Sequence, residues 1–252
     1  MKTSAVATLA AMLISMGAVG ARAETAAPAF AAAAVADPDR PAADRERDAN
    51  RKPAETIAFA GVRPGMVVAE LGPGRGYYTR ILAKAVGPTG KVYALASKAQ
   101  AARPGGLDAL NALAAAYPNI TVLTVDYTAL VLPEKVNLIW TTENYHDFHN
   151  GPTANIAAVD TAVYENLKPG GVFYVEDHSA AIGAGLEATS KWHRMDEALA
   201  KTELTAAGFK IEAESDLLRN PNDNRASSNS EAGHFVTDRF MLRLKKQTDN
   251  QR

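Results

Sequence analysis

The sequence predicts an α/β fold: a doubly wound, seven-stranded sheet, mostly parallel, with an antiparallel final strand. Short apolar runs rich in β-branched residues alternate with amphipathic stretches along the chain. Most of these runs are separated by segments long enough to hold the helical crossover that parallel strands require. A glycine-rich turn follows the first run directly, at the place where open α/β sheets bind ligands.

The elements follow in order. "MVVAEL" (66–71) reads as a buried strand, and the helix after its glycine loop spans about Tyr77 to Ala85. "GKVYALA" (90–96) is the second strand, "GGLDALNALAAAY" (105–117) a helix, and "NITVLTV" (119–125) the third strand. "KVNLIWTT" (135–142) and "GGVFYVED" (170–177) flank a helix near Ala154 to Leu167. A long helix, about Glu187 to Ala207, precedes "GFKIEAES" (208–215) and "HFVTDRFMLRLKK" (234–246). No helix is expected between these last two strands, which predicts an antiparallel ribbon at one edge.

The 252 residues carry a net charge of -1, which gives no electrostatic reason to expect nucleic acid as a partner and favours a small-molecule substrate. The start, "MKTSAVATLAAMLISMGAVGARA", has a lysine, a short apolar run and a small-x-small triplet, the pattern of a secretory signal peptide with cleavage after Ala23. The mature chain is therefore expected in the periplasm or outside the cell, with no membrane span after cleavage and, lacking cysteine, no disulfide. Residues 24–43, alanine and proline with few large side chains, read as a disordered leader. The domain proper is expected over 44–246, opening with one or two short helices, and 247–252 as a polar tail. Oligomeric state is not legible.

The loop "ELGPGRGYY" narrows the ligand. A dinucleotide fingerprint needs a small residue where Tyr77 stands, and a P-loop needs Lys then Ser or Thr after a glycine of the loop. What remains is Glu70 followed by Gly72, Gly74 and Gly76, a carboxylate that repels phosphates and attracts an ammonium group. This acidic-x-Gly-x-Gly-x-Gly pattern resembles the first motif of class I S-adenosylmethionine-dependent methyltransferases, whose Rossmann-like sheet also ends in an antiparallel strand. The blocks "GMVVAELGPGRGYYTRILAKAVGPTGKVYA", "NLIWTTENYHDFHN" and "AAGFKIEAESDLLRNPND" are similar to a group of predicted exported bacterial methyltransferases, over about residues 45 to 245.

The resemblance implies S-adenosyl-L-methionine as cofactor and methyl transfer as activity. It implies a carboxylate for the ribose hydroxyls at the end of the second strand, but "ALASKAQ" has none, leaving Ser97 in that place. It also implies that Asp126 accepts from the adenine amino group. Glu143 and Tyr77 complete the expected cofactor contacts.

The densest polar cluster is "ENYHDFHN", 143–150, after the fourth strand, and it should face Glu176, Asp177 and His178 at the end of the fifth. In-line methyl transfer needs alignment and, for a protonated acceptor, a base. His146 is the expected general base, with Asp147 or Glu176 orienting its ring and Tyr145 packing against cofactor or substrate. A metal held by His146, Asp147, His149 and His178 is a weaker alternative without a known ligand spacing. "NPND" (220–223) matches no nucleobase-methylating tetrapeptide, and Trp192, His193 and Arg194 are either pocket residues or core. Two other functions stay open: a ligand-binding or sensing module that has lost catalysis, favoured by the missing ribose carboxylate, and an NADP-dependent oxidoreductase using Ser97, Lys98 and Arg103.

Overall fold

The computed structural model describes residues 27–232 and 236–248. The signal-peptide reading and most of the polar tail lie outside these residues. Among the described residues, no helix is long and apolar enough to cross a membrane.

Seven strands form one sheet in the order β3-β2-β1-β4-β5-β7-β6. They are β1 (Val67–Leu71), β2 (Lys91–Ser97), β3 (Ile120–Val125), β4 (Val136–Thr142), β5 (Leu167–His178), β6 (Phe209–Ser215) and β7 (Arg239–Lys246). The first five are parallel, and β7 runs antiparallel to both β5 and β6. The final ribbon is thus as expected, but its second strand inserts inside the first, leaving β6 at the edge. Fully buried strands need both faces apolar. Val68, Val92, Leu138 and Trp140 point into one core with Ile57, Ile81 and Leu82, while Leu71, Leu95, Ile139 and Phe173 point into the other with Val163 and Leu204.

The helices are α1 (Ala29–Val35), α2 (Ala42–Arg45), α3 (Asp48–Arg51), α4 (Pro53–Ala60), α5 (Tyr77–Val86), α6 (Lys98–Ala101), α7 (Asp108–Ala116), α8 (Ile156–Asn166), α9 (Glu187–Trp192), α10 (Glu197–Ala206) and α11 (Asn229–Ala232). Two differ from expectation. Residues 29–35, read as disordered leader, form α1, with Ala31 and Ala34 buried in the first core. Alanine is the best helix former, and its small side chain lets the helix approach α4 and α5 closely. The helix expected over 187–207 is broken into α9 and α10 by His193, whose φ of 51° is left-handed. Beyond it, Met195 donates its N–H to the His178 carbonyl at 2.8 Å, and the Asp196 carboxylate caps α10 by accepting from the Ala198 N–H at 3.0 Å.

Candidate active site

From β1 the chain turns outward to β2 and β3, then crosses over to β4 and β5 on the other side. At such a switch point the connections diverge and leave a crevice beyond the carboxyl ends. A cavity of about 930 Å³ lies there, bordered by Gly72 and Gly74, by Ser97 and Asp126 at the ends of β2 and β3, and by Asn144 and Asp147 after β4.

The glycine loop has three left-handed residues, with φ of 64° at Gly72, 56° at Gly74 and 88° at Gly76. They serve different ends. A Cβ on Gly72 would sit 2.7 Å from the Asn144 side chain, whose Nδ2–H donates to the Gly72 carbonyl at 3.1 Å. A Cβ on Gly76 would sit 2.2 Å from Leu113, so this glycine permits close packing of α7 and does not border the cavity. Gly74 has open space where its Cβ would be. Tyr127 braces the turn: its hydroxyl accepts from the Gly72 N–H at 3.1 Å and donates to the Leu95 carbonyl at 2.8 Å.

Ser97 and Asp126 reach the cavity, yet both are already engaged. Ser97 Oγ caps α6 by accepting from the Gln100 N–H at 3.0 Å, and Gln100 Nε2–H donates to the carbonyls of Gly74 and Gly106, each at 3.0 Å. Asp126 accepts from Thr128 Oγ1 at 2.8 Å and pairs with Lys98 at 3.0 Å. The Thr128 hydroxyl, and then Lys98, hold its carboxyl below the usual carboxylate range.

Other expected cofactor contacts do not reach the cavity. Glu70 is buried and accepts from Thr79 Oγ1 of α5 at 2.5 Å, and burial pushes its carboxyl up to about 7. Tyr77 points away, donating its hydroxyl to Asp48 at 2.6 Å, with the Arg47 and Arg51 guanidinium groups each 4.9 Å from its ring centre. Glu143 pairs with Arg51, and with Arg239 at 3.2 Å. Burial opposes its charge, but Arg51 and the cations near it outweigh burial and hold the carboxyl low. Glu176, expected behind the catalytic histidine, instead pairs with Arg239 at 2.8 Å, and its complete burial raises its carboxyl even so. The contacts of Glu143 with Arg51 and Arg239, and of Glu176 with Arg239, are the ion pairs that a buried charge requires.

The loop after β4 and the end of β5 do meet. Their contact is made by Asp177: its carboxylate accepts from the His146 and His178 backbone N–H groups at 2.7 and 2.8 Å, and lies 2.8 Å from His146 Nδ1. Asp177, not Glu176, therefore orients the ring, leaving Nε2 facing Asp147 at 3.4 Å. Burial lowers the affinity of His146 for a proton, but the Asp177 carboxylate outweighs it and leaves the imidazole above its ordinary pKa. Tyr145 is fully buried and donates to Asp160 at 2.9 Å, so it packs in the second core and does not border the cavity. His149 turns to Glu203 at 2.9 Å and His178 to Thr237 at 2.7 Å, which removes both from the suggested metal set.

The sequence reading left Asn144, Tyr127 and Gln100 without a role. Asn144 stood inside the quoted polar cluster, and Tyr127 next to Asp126. Gln100 and Arg239 carry no local pattern, since each acts across a gap in sequence. Trp192 is half-buried, and Arg194 is buried against Asp223 of the NPND turn at 2.7 Å.

No family model matches the chain, and no curated protein matches it in sequence. Solved structures do match in fold. A S-adenosylmethionine-dependent methyltransferase from Aquifex aeolicus aligns with a TM-score of 0.56 at 18% identity, over 78% of this chain and 88% of that one. An arsenic(III) S-adenosylmethionine methyltransferase from Chlamydomonas reinhardtii gives 0.58 at 18%, over 88% and 74%. The [4+2]-cyclase SpnF gives 0.58 at 14%, over 82% of each chain. At these identities the likeness is one of fold: a seven-stranded α/β sheet of the kind found in S-adenosylmethionine-dependent methyltransferases.

Proposed function

We propose that this chain transfers a methyl group from S-adenosyl-L-methionine to a small-molecule acceptor, and does so outside the cytoplasm. The cavity carries the proposal: it lies at the switch point, directly beside a glycine loop whose backbone is open at Gly74. Its residues fit the cofactor at the loop end, where a Cβ on Gly74 would meet nothing within 4 Å, so a ligand can approach the backbone there. Bound there, S-adenosyl-L-methionine supplies an electrophilic methyl on a sulfonium.

The protein's own part is alignment and proton removal. Ser97 Oγ and the Asp126 carboxylate offer polar contacts at the ends of β2 and β3, with Lys98 giving up Asp126 on binding. His146 is buried and does not itself border the cavity; Asp177 fixes its Nδ1 proton inward, and Nε2, which faces the cavity-lining Asp147, is the group that takes the proton of the acceptor's hydroxyl or ammonium. Extracellular action rests on the signal-peptide pattern of residues 1–23.

Calorimetric titration of the purified protein with S-adenosylmethionine, its demethylated product and NADPH tests the reading. Saturable binding of both sulfur compounds, without NADPH binding, supports it. Absence of binding of either at millimolar concentration overturns it. A second reading, a binding module without catalysis, is favoured by the occupied state of Ser97 and Lys98, and binding of cofactor with no labelled methyl passed to any acceptor decides for it. Lys98 and Arg103 border the cavity as a 2′-phosphate would require, so NADPH binding alone would favour an oxidoreductase.

A further inference from the structure

We propose that His146, Asp147 and His193 form a binding site for a divalent transition-metal ion; of the three, Asp147 alone borders the cavity. Their ligand atoms all lie within 4.8 Å of one another. His146 Nε2 and Asp147 Oδ1 are 3.4 Å apart, and His193 Nδ1 and the same oxygen 3.5 Å. Both separations exceed a good hydrogen bond of roughly 2.7–3.2 Å. They match the edge of a tetrahedron around a metal, since bonds of about 2.0–2.1 Å place ligand atoms roughly 3.4 Å apart.

Two further features point the same way. Behind His146 stands Asp177, fully buried and 2.8 Å from Nδ1, which fixes the tautomer so that Nε2 presents its lone pair toward Asp147. A carboxylate bonded to the far nitrogen is the usual support of a metal-binding histidine. His193 is held in a left-handed conformation at φ 51°, uncommon for a non-glycine residue, where the chain breaks between α9 and α10. That break sets its ring edge-on to His146, with ring centres 5.5 Å apart. The turn is anchored by Arg194, which is buried and bonded to Asp223 and the Ser179 carbonyl.

Two imidazoles and one carboxylate suit zinc, cobalt or nickel better than magnesium. Three protein ligands leave a coordination position open, the pattern of a catalytic rather than structural site. Asp147 also borders the cavity, so an acceptor with an anionic oxygen or sulfur donor can take that position. This last step rests on the methyl-transfer reading; the metal site itself does not. A metal on Nε2 excludes proton acceptance by the same nitrogen, so the titration also chooses between the two roles of His146.

The test is calorimetric titration of the chelator-stripped full chain with ZnCl2, and with CoCl2 followed by its visible absorption. One saturable site per chain and a tetrahedral cobalt spectrum are expected. Asp177→Asn should weaken the site ~10–100-fold, as loss of a supporting carboxylate does elsewhere. His193→Ala, at a half-exposed position that does not threaten folding, should abolish the cobalt spectrum while leaving S-adenosylmethionine binding unchanged; His149→Ala should leave metal binding intact. Absence of saturable binding, or binding that His193→Ala and Asp147→Ala both leave unaltered, overturns the site. Metal binding without cofactor binding would overturn methyl transfer and leave the metal site standing.

Discussion

His146 and Asp177 come from different strand ends and meet in a buried pair hydrogen-bonded through the His146 backbone N–H and Nδ1. If Nε2 accepts a proton in the metal-free protein, methyl transfer rises with pH as the imidazole loses its own, and the midpoint lies above the ordinary histidine value because Asp177 raises it. Asp177→Asn removes that charge, so the midpoint should move to lower pH while kcat falls. A pH–rate profile of both proteins checks this, and a midpoint that does not move assigns the limb to another group.

Glu70 gives a second prediction at this scale. Its folded pKa of about 7 stands above the unfolded value of 4.5, so the native state holds the proton more tightly. The stability tied to that proton is fully present below pH 4.5 and is lost as pH rises to about 7. Glu70→Gln keeps the shape and cannot ionise. It should be neutral at pH 4.5 and stabilise the protein by roughly 1–3 kcal/mol at pH 8, as urea unfolding at the two pH values would measure.

Among elements, α1 separates composition from structure. An alanine-proline stretch carries few large side chains, yet Ala31 and Ala34 fill space between α4 and α5 that a larger residue would not enter. Ala34→Asp should therefore cost about 2–4 kcal/mol by placing a carboxylate in the core, whereas Ala33→Asp on the exposed face should change stability by less than about 0.5 kcal/mol. Equal, small effects on thermal unfolding would mean that the helix does not pack. The break between α9 and α10 teaches the opposite lesson. "SKWHRMDEALA" keeps a helical spacing through Trp192 and Met195, but Asp196 is a helix-capping residue and Arg194 finds Asp223 29 residues away. The capping signal was local; the partner was not.

For the molecule as a whole, the cavity joins the ends of β1, β2, β3 and β4, so a ligand there bridges elements far apart in sequence. A ligand that binds only the native state stabilises it by ~2.7 kcal/mol at a hundred times its Kd, or roughly 5–10 °C in Tm for a domain of this size. S-adenosylmethionine should produce such a shift and NADPH should not, as a thermal melt at graded ligand concentration will reveal. A shift with NADPH alone would move the reading toward oxidoreduction.

By itself the sequence determined the class of the fold and pointed to the strand end beside which the cavity lies. Apolar periodicity marks strands and helices, and the glycines after the first strand mark the loop of which Gly72 and Gly74 border the cavity, because these signals are local. Tertiary structure alone decided which of the nominated residues meet. Glu70, Tyr77, Glu143 and Glu176 face partners away from the cavity, whereas Asp147, with the expected base His146 beside it, comes within reach of His193. The reason is physical: a buried charge must find a counter-charge or donor, and those partners, Arg51, Arg239 and Asp177 among them, are supplied by distant segments whose proximity no local pattern encodes.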